Sequence, residues 1–325
     1  MLAGKTMQHP ILLYSVVPSQ TGRHPQDDAD ETVIAFEKAL YPLKPKRVRL
    51  PSPCTVEALT LLLHEFKGAD FVFNFCEEVN GLSVGEGWVI GLLELLGIPF
   101  SGSRSETIFL CHDKYKTHCV LKELGIPTPE TQLIFSENDF PLFTHPKILK
   151  PCCEDGSLGI SKISVCRTPE DFSRAFLELK KNKLSPYLLQ RYIEGREINV
   201  SIFDGQILPL SELDFSLMKS NHPKILTYEA KWDSASIAYR GSRVVCPANV
   251  SEALAEKIKT IALKIYHFLG IRHYGRVDFR VDILENPFVI DVNPNPCIAP
   301  DSGFMKALAV LGFNYKKIIE IFEKM

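Results

Sequence analysis

Two short segments near the end of the chain constrain its fold more than anything else. Tyr274-Gly275-Arg276-Val277-Asp278-Phe279 alternates apolar and charged residues. Pro287-Phe288-Val289-Ile290 opens a second apolar run that continues into Asp291-Val292-Asn293-Pro294-Asn295-Pro296. Both read as strands, the first by its period-two alternation. The intervening Ile283-Leu284-Glu285-Asn286 is short enough for a hairpin turn. Pairing the strands would gather Asp278, Asp291 and the Asn293 amide at one spot, with Arg276 on the same strand face as Asp278. Hard oxygen donors of this kind suit Mg²⁺, which takes a few carboxylates and completes its shell with nucleotide phosphates. Taken alone, the two aspartates read equally well as solvated carboxylates at strand ends.

Composition excludes more than it identifies. A length of 325 residues calls for two or three lobes. The formal net charge of -2 gives no field that would favour nucleic acid or an anionic membrane. No apolar run is long enough to span a bilayer, and the first residues lack the basic, apolar and small-residue order of a secretory signal. The nine cysteines are odd in number and irregularly spaced, with an adjacent Cys152-Cys153 pair. That is a poor disulfide framework and a poor zinc site, so a reducing cytoplasm is the expected location.

The first hundred residues alternate strand and helix, which predicts an α/β lobe with a parallel sheet. Strands are expected over 11–17, 47–50 and 71–75, with helices capped by Asp28 or Asp30, over 55–66, and through 88–96. From Asp113 the pattern changes to α+β. Helices are expected over 114–124, 168–183, 251–269 and 303–322, and strands over 145–150, 160–165 and 187–193, with mostly strand up to Val245 and an irregular stretch around Tyr228-Glu229-Ala230-Lys231-Trp232.

Lys150 ends a strand before the turn-forming Pro151-Cys152-Cys153-Glu154-Asp155-Gly156-Ser157-Leu158-Gly159. Backbone N–H groups of such a loop can cradle phosphate, with the lysine as a point charge. Gly4-Lys5-Thr6 imitates the end of a P-loop, but the upstream glycine that motif requires would precede residue 1, and no G-x-G-x-x-G occurs. Glu197 follows the strand and turn ending Arg191-Tyr192-Ile193-Glu194-Gly195-Arg196, so it could meet ribose hydroxyls while the 191–193 backbone meets an adenine edge. Lys231 and its aromatic neighbours suggest a lid over a charged substrate. Each feature has an ordinary alternative as a surface charge, a hairpin loop or a buried anchor.

Their order along the chain resembles the ATP-grasp fold and, more closely, the D-alanine–D-alanine ligase family. The matching segments include Phe73-Asn74, Leu96-Gly97-Ile98-Pro99-Phe100-Ser101-Gly102-Ser103, His112-Asp113-Lys114, Leu149-Lys150-Pro151, Ser157-Leu158-Gly159-Ile160-Ser161, Ile193-Glu194-Gly195-Arg196-Glu197, Tyr228-Glu229-Ala230-Lys231 and the hairpin. The resemblance implies three parts: an N-terminal α/β lobe (1–108), a central subdomain (109–186) and a C-terminal catalytic subdomain (187–325). It implies ATP and Mg²⁺, with Mn²⁺ able to substitute, and ligation of a carboxylate to an amine through an acyl phosphate. Lys114 and Lys150 would bind phosphate, with Glu154, Gly156 and Ser157 in the loop beside them. Gln190, Arg191, Tyr192 and Ile193 would flank adenine, and Glu197 would hold the ribose. Asp278, Asp291 and Asn293 would hold the metal, and Arg276 would stabilise the oxyanion. Ser302 and Gly303 would receive the acceptor carboxylate at a helix N-terminus, with Lys231 closing over it. The expected partners are small amino-acid or carboxylate substrates, with a homodimer left open.

Several departures from the family pattern, the first two below and Trp232, fall around the amino-acid sites. The glutamate after the first strand is absent, and Cys76-Glu77-Glu78-Val79-Asn80-Gly81 replaces the family's His-Gly signature, although Glu86 can keep the later acidic position. Gly156 and Trp232 stand at the family's loop serine and lid tyrosine. Gln190 and Asp291 stand where glutamates are usual. The expectation is therefore a ligase whose substrates differ from two D-alanines. The alternatives are true D-alanyl-D-alanine synthesis and an ATP-binding protein without turnover.

Overall fold

The computed structural model describes residues 7–15, 25–139, 143–181, 186–218 and 222–324, with backbone alone for 25–30. The unusual segment 18–24 lies outside the described residues. β1 (Pro10–Tyr14), β2 (Lys46–Arg49) and β3 (Phe71–Phe75) form a parallel sheet in the order β2-β1-β3. All five residues of β3 are buried, as befits a parallel strand covered on both faces. The helices between and after these strands are α1 (Pro25–Leu40), α2 (Val56–Glu65) and α3 (Gly85–Leu95). The Thr55 hydroxyl caps α2 by accepting the Ala58 N–H. Neither Asp28 nor Asp30 caps α1, which starts earlier, at Pro25; proline suits a first turn because its missing N–H has no helical partner there.

Helix α4 (Ser105–His112) was not expected from the sequence, because its short, mixed composition hides its period. It packs against α3, against α5 (Lys114–Glu123) and against the C-terminal hairpin. The division expected after residue 108 thus falls inside a helix that joins the parts. The next sheet is antiparallel, in the order β4-β7-β5-β6: β4 Thr131–Ile134, β5 Lys147–Pro151, β6 Val165–Cys166, β7 Tyr187–Arg191. Helix α6 (Pro169–Lys181) buries Phe172, Phe176 and Leu179 against Leu149, Tyr187 and Leu189. The strand expected over 160–165 is mostly replaced by a turn: Ile160 N–H bonds Ser157 O, and Ser161 caps a 3-10 turn at Lys162–Ser164.

The third sheet is antiparallel, in the order β11-β10-β8-β12-β13 with β9 beside β8. Its strands are β8 Arg196–Phe203, β9 Gln206–Ile207, β10 Ser211–Asp214, β11 Arg243–Val245, β12 Tyr274–Val281 and β13 Pro287–Asn293. Before β11 the chain forms two short helices rather than strand, α7 (Tyr228–Trp232) and α8 (Ile237–Gly241), capped by Thr227 and Ser236. Ile198, Val200, Ile202, Val277, Phe279 and Val281 share a core with Leu254, Ile258 and Ile265 of α9 (Glu252–Phe268). The closing helix is two helices, α10 (Gly303–Val310) and α11 (Tyr315–Phe322). Gly312, at φ +75°, breaks them, since a left-handed residue ends a helix at little cost when it has no Cβ. Phe304, Leu308, Ile318 and Phe322 return to share a core with Phe36, Phe71 and Phe73 of the first lobe. No helix among the described residues is long and apolar enough to cross a membrane.

Candidate active site

Strand register builds the floor of a cleft between the sheets. β8 and β12 pair Glu197 with Arg280, Asn199 with Asp278 and Ser201 with Arg276. The apolar residues between them face α9, so alternation puts these polar side chains on the opposite, cleft-lining face. β13 then sets Asp291 opposite Asp278 and Asn293 opposite Arg276, the pairing expected from the hairpin. Asp278 is buried and accepts from Asn199 Nδ2 at 2.7 Å, Arg276 Nε at 2.7 Å and Arg276 Nη2 at 2.9 Å. Burial opposes the charge on Arg276, but Asp278 outweighs it and raises the guanidinium further above its usual range. Asn199 was missed from sequence; polar Glu197, Asn199 and Ser201 alternating with Ile198, Val200 and Ile202 was the available signal.

The donor set fits a divalent cation. Asp291 Oδ1 is buried and makes no hydrogen bond, although Lys114 Nζ stands 3.4 Å away. An unsatisfied buried carboxylate oxygen beside a second carboxylate and the Asn293 amide is the chemistry a hard ion completes.

The two lysines expected to bind phosphate differ in their surroundings. The β12–β13 register slips by one residue after Asp278, and the resulting bulge leaves the Ile290 carbonyl to accept from Lys150 Nζ at 3.3 Å. Burial lowers the Lys150 pKa. Burial also works against charge on Lys114, but Asp155 and Asp291 prevail and raise it; Lys114 Nζ donates to Asp155 at 2.9 Å. Gly156 and Ser157 both have φ +63°, so the loop turns sharply there. It docks on α7 through Trp232 Nε1–H, which donates to Gly156 O at 2.9 Å, and Tyr228 N–H, which donates to Ile160 O. Lys231 Nζ lies 4.7 Å from the Trp232 ring centroid. Glu154 accepts from the Ser83 hydroxyl at 2.8 Å.

Beside the residues expected to flank adenine, the residue missed from sequence is Arg280. It is buried, donates twice to Ile193 O at 2.9 and 3.0 Å and once to Lys224 O, and lies 3.5 Å from Glu197. Its guanidinium carbon lies 5.4 Å from the Tyr192 ring centroid. The backbone expected to meet adenine is thus partly occupied: Arg191 N–H bonds Glu130 O, Tyr192 N–H bonds Pro146 O, and Ile193 O is held by Arg280. Gln190 Nε2 donates to Thr131 at 3.1 Å. Gly195 has φ +148°, and a Cβ there would sit 1.9 Å from Val281 O, so only glycine lets this turn lie on β12. Burial raises Glu197 to about 6, with Arg280 opposing.

Glu86, His112 and Asp155 form another wall. His112 is buried, with Nε2 3.5 Å from Glu86 and Nδ1 3.3 Å from Asp155, the latter without hydrogen-bond geometry. Burial raises the Glu86 carboxyl and opposes the His112 charge, but the carboxylates prevail and raise His112. Asn295 Nδ2 also donates to Glu86 at 2.5 Å. All the expected nucleotide and metal residues, together with Arg276 and Lys231, line the one cleft. Ser302 and Gly303 do not: the Ser302 hydroxyl caps α10 by accepting Met305 N–H, and Gly303 lies against Val244.

A family model described as the D-ala D-ala ligase C-terminus matches residues 121–322. A D-alanine–D-alanine ligase of a Synechococcus species is 32% identical over 285 residues, 84% of this chain and 81% of that protein. The Aquifex aeolicus enzyme of the same name is 32% identical over 240 residues, 73% and 76% of the two chains. The crystal structure of a Bacillus anthracis D-alanine–D-alanine ligase complexed with ATP shares the fold at a TM-score of 0.73 and 22% identity, covering 98% of this chain and 96% of that one. Fold and sequence relationship together define an ATP-dependent carbon–nitrogen ligase of ATP-grasp architecture. The chain belongs to the D-alanine–D-alanine ligase family.

Proposed function

We propose that this ligase activates the carboxylate of one amino acid with ATP and joins it to the amine of a second, and that its preferred pair is not D-alanine with itself. Lys114 and Lys150 bind phosphate beside the loop carrying Glu154, Gly156 and Ser157, and Glu197 accepts from the ribose. Asp278, Asp291 and Asn293 hold Mg²⁺, or Mn²⁺ in its place. The ion would supply charge neutralisation on the phosphoryl group in transfer. Arg276 meets the oxyanion that forms when the amine adds. Ser302 is committed within its own turn, its hydroxyl to Met305 N–H and its N–H to Ala299 O, so of this pair only the Gly303 N–H is left for the acceptor. The docked loop and α7 exclude water from the acyl phosphate. A reducing cytoplasm is part of this reading, supported by nine free cysteines.

The Trp232–Gly156 contact carries the substrate reading. An indole N–H bonded to a backbone carbonyl closes the lid without presenting a hydroxyl from either residue. A pocket built with different polar partners ranks its substrates differently, by factors that can reach several orders of magnitude. Measuring kcat/KM over a panel of D- and L-amino acids tests this. D-alanine ranking first as both donor and acceptor would overturn it.

A further inference from the structure

The adjacent cysteines lie outside the cleft described above. β5 ends at Pro151, and the next two residues, Cys152 and Cys153, start the loop whose Glu154 to Ser157 line the cleft. Asp113 stands at the head of α5, one residue before Lys114. The two elements are joined there by Lys114 N–H donating to Cys152 O at 3.1 Å. One ligand atom from each of Asp113, Cys152 and Cys153 lies within 4.8 Å of the other two, and Cys152 Sγ is 3.5 Å from Asp113 Oδ1. Zinc bonded to thiolates at about 2.3 Å and to a carboxylate at about 2.0–2.2 Å would separate its ligand atoms by roughly 3.5–3.8 Å. The three groups are therefore near the required geometry before any movement.

We propose that Asp113, Cys152 and Cys153 form an inhibitory site for a soft divalent cation such as Zn²⁺ or Cd²⁺. Cys152 is buried, while Cys153 and Asp113 are half-exposed, so the site opens to solvent on one side and water completes the tetrahedron. Two sulfur ligands select against Mg²⁺, whereas the Asp278, Asp291 and Asn293 oxygens select for it. The chain thereby separates two kinds of metal chemistry. Occupancy acts on nucleotide handling because both ends of the clamp carry phosphate-contacting residues. Asp113 now accepts Lys116 N–H at 2.9 Å and pairs with Lys116 Nζ at 2.9 Å. A cation drawing that carboxylate to the two sulfurs fixes the loop against Lys114 and prevents the adjustment that admits and releases ATP.

The experiment titrates the full-length reduced protein with Cd²⁺ in millimolar Mg²⁺, following thiolate-to-cadmium absorption in the ultraviolet. We expect one equivalent to bind with that absorption, to inhibit ATP turnover, and to resist displacement by further Mg²⁺. Cys153→Ser should weaken binding at least tenfold and relieve inhibition in parallel. Asp113→Asn should weaken binding while leaving α5 capped, because asparagine caps a helix as well as aspartate does; its thermal unfolding reports whether the cap survived. Absence of the absorption, wild-type affinity in Cys153→Ser, or displacement of Cd²⁺ by Mg²⁺ would each overturn the assignment.

Discussion

The hairpin wall and the first-lobe wall of the cleft both bury carboxylates, but they balance them in different ways. On the hairpin, Asp278 is gripped by Arg276 and Asn199 from neighbouring register positions, while Asp291 keeps an unsatisfied oxygen. On the first-lobe wall, Glu86 and Asp155 face an imidazole whose pKa they raise against its burial, with Lys114 holding the other side of Asp155. The first arrangement leaves a ligand-sized charge deficit and suits a metal. The second stores a proton. A permanent guanidinium partner makes a site whose charge is set by what binds, whereas a histidine partner makes one whose charge is set by solution pH.

The largest effect that would break this contrast is expected at the hairpin. Asp278→Asn should abolish ADP release at saturating ATP and Mg²⁺ while thermal unfolding stays near wild type; turnover at the wild-type rate would remove the metal from this wall. Arg276→Ala should lower kcat on the order of 10²–10³-fold, the usual loss on deleting an oxyanion donor. Because it frees Asp278, it should not raise the Mg²⁺ concentration needed for half-maximal rate. Lys150→Ala should instead raise KM for ATP, because in the proposed arrangement its ammonium meets phosphate in the ground state. A parallel loss of ATP affinity in both variants would erase the distinction between them.

Glu197 gives a smaller, pH-dependent effect. With its folded pKa near 6, protonation below that value would remove the ribose acceptor proposed above, so KM for ATP should climb as pH falls from about 7 to about 5. A Glu197→Gln variant should show a high KM that is flat over the same range. The smallest effect belongs to the first-lobe wall. The folded pKa of His112 is raised above its unfolded value of about 6.5, so its contribution to stability is complete below that value and is lost as pH rises through the folded pKa. His112→Gln should cost on the order of 1–2 kcal/mol at pH 6 and less at pH 8, by denaturant titration. An equal cost at both would show that the proton is not shared as described.

These walls also differ in how far they could be read from sequence. Asp278, Asp291, Asn293 and Arg276 sit on two consecutive strands, so a local pattern and one turn fix their relation. Glu86, His112 and Asp155 come from α3, α4 and the loop after β5, and only tertiary packing brings them together; α4 itself was missed. Arg280 was visible as the next residue on the Arg276 and Asp278 face. Its partner, the Ile193 carbonyl, carries no side-chain signal, so its role was not legible. The break between α10 and α11 was marked by Gly312, but an apolar period continuing on both sides masked it.

The return of α10 and α11 to the first sheet has a consequence for synthesis. Phe36 and Phe73 leave the ribosome long before Phe322, which later packs a ring centroid 5.7 Å from Phe73. At ~5–20 residues per second, the nascent first lobe waits roughly 10–50 s with part of its apolar face bare. A chain cut short at Gly312 would keep every residue of the cleft described above, yet it would carry that exposed face permanently and should be a client of chaperones and proteases rather than a smaller working enzyme.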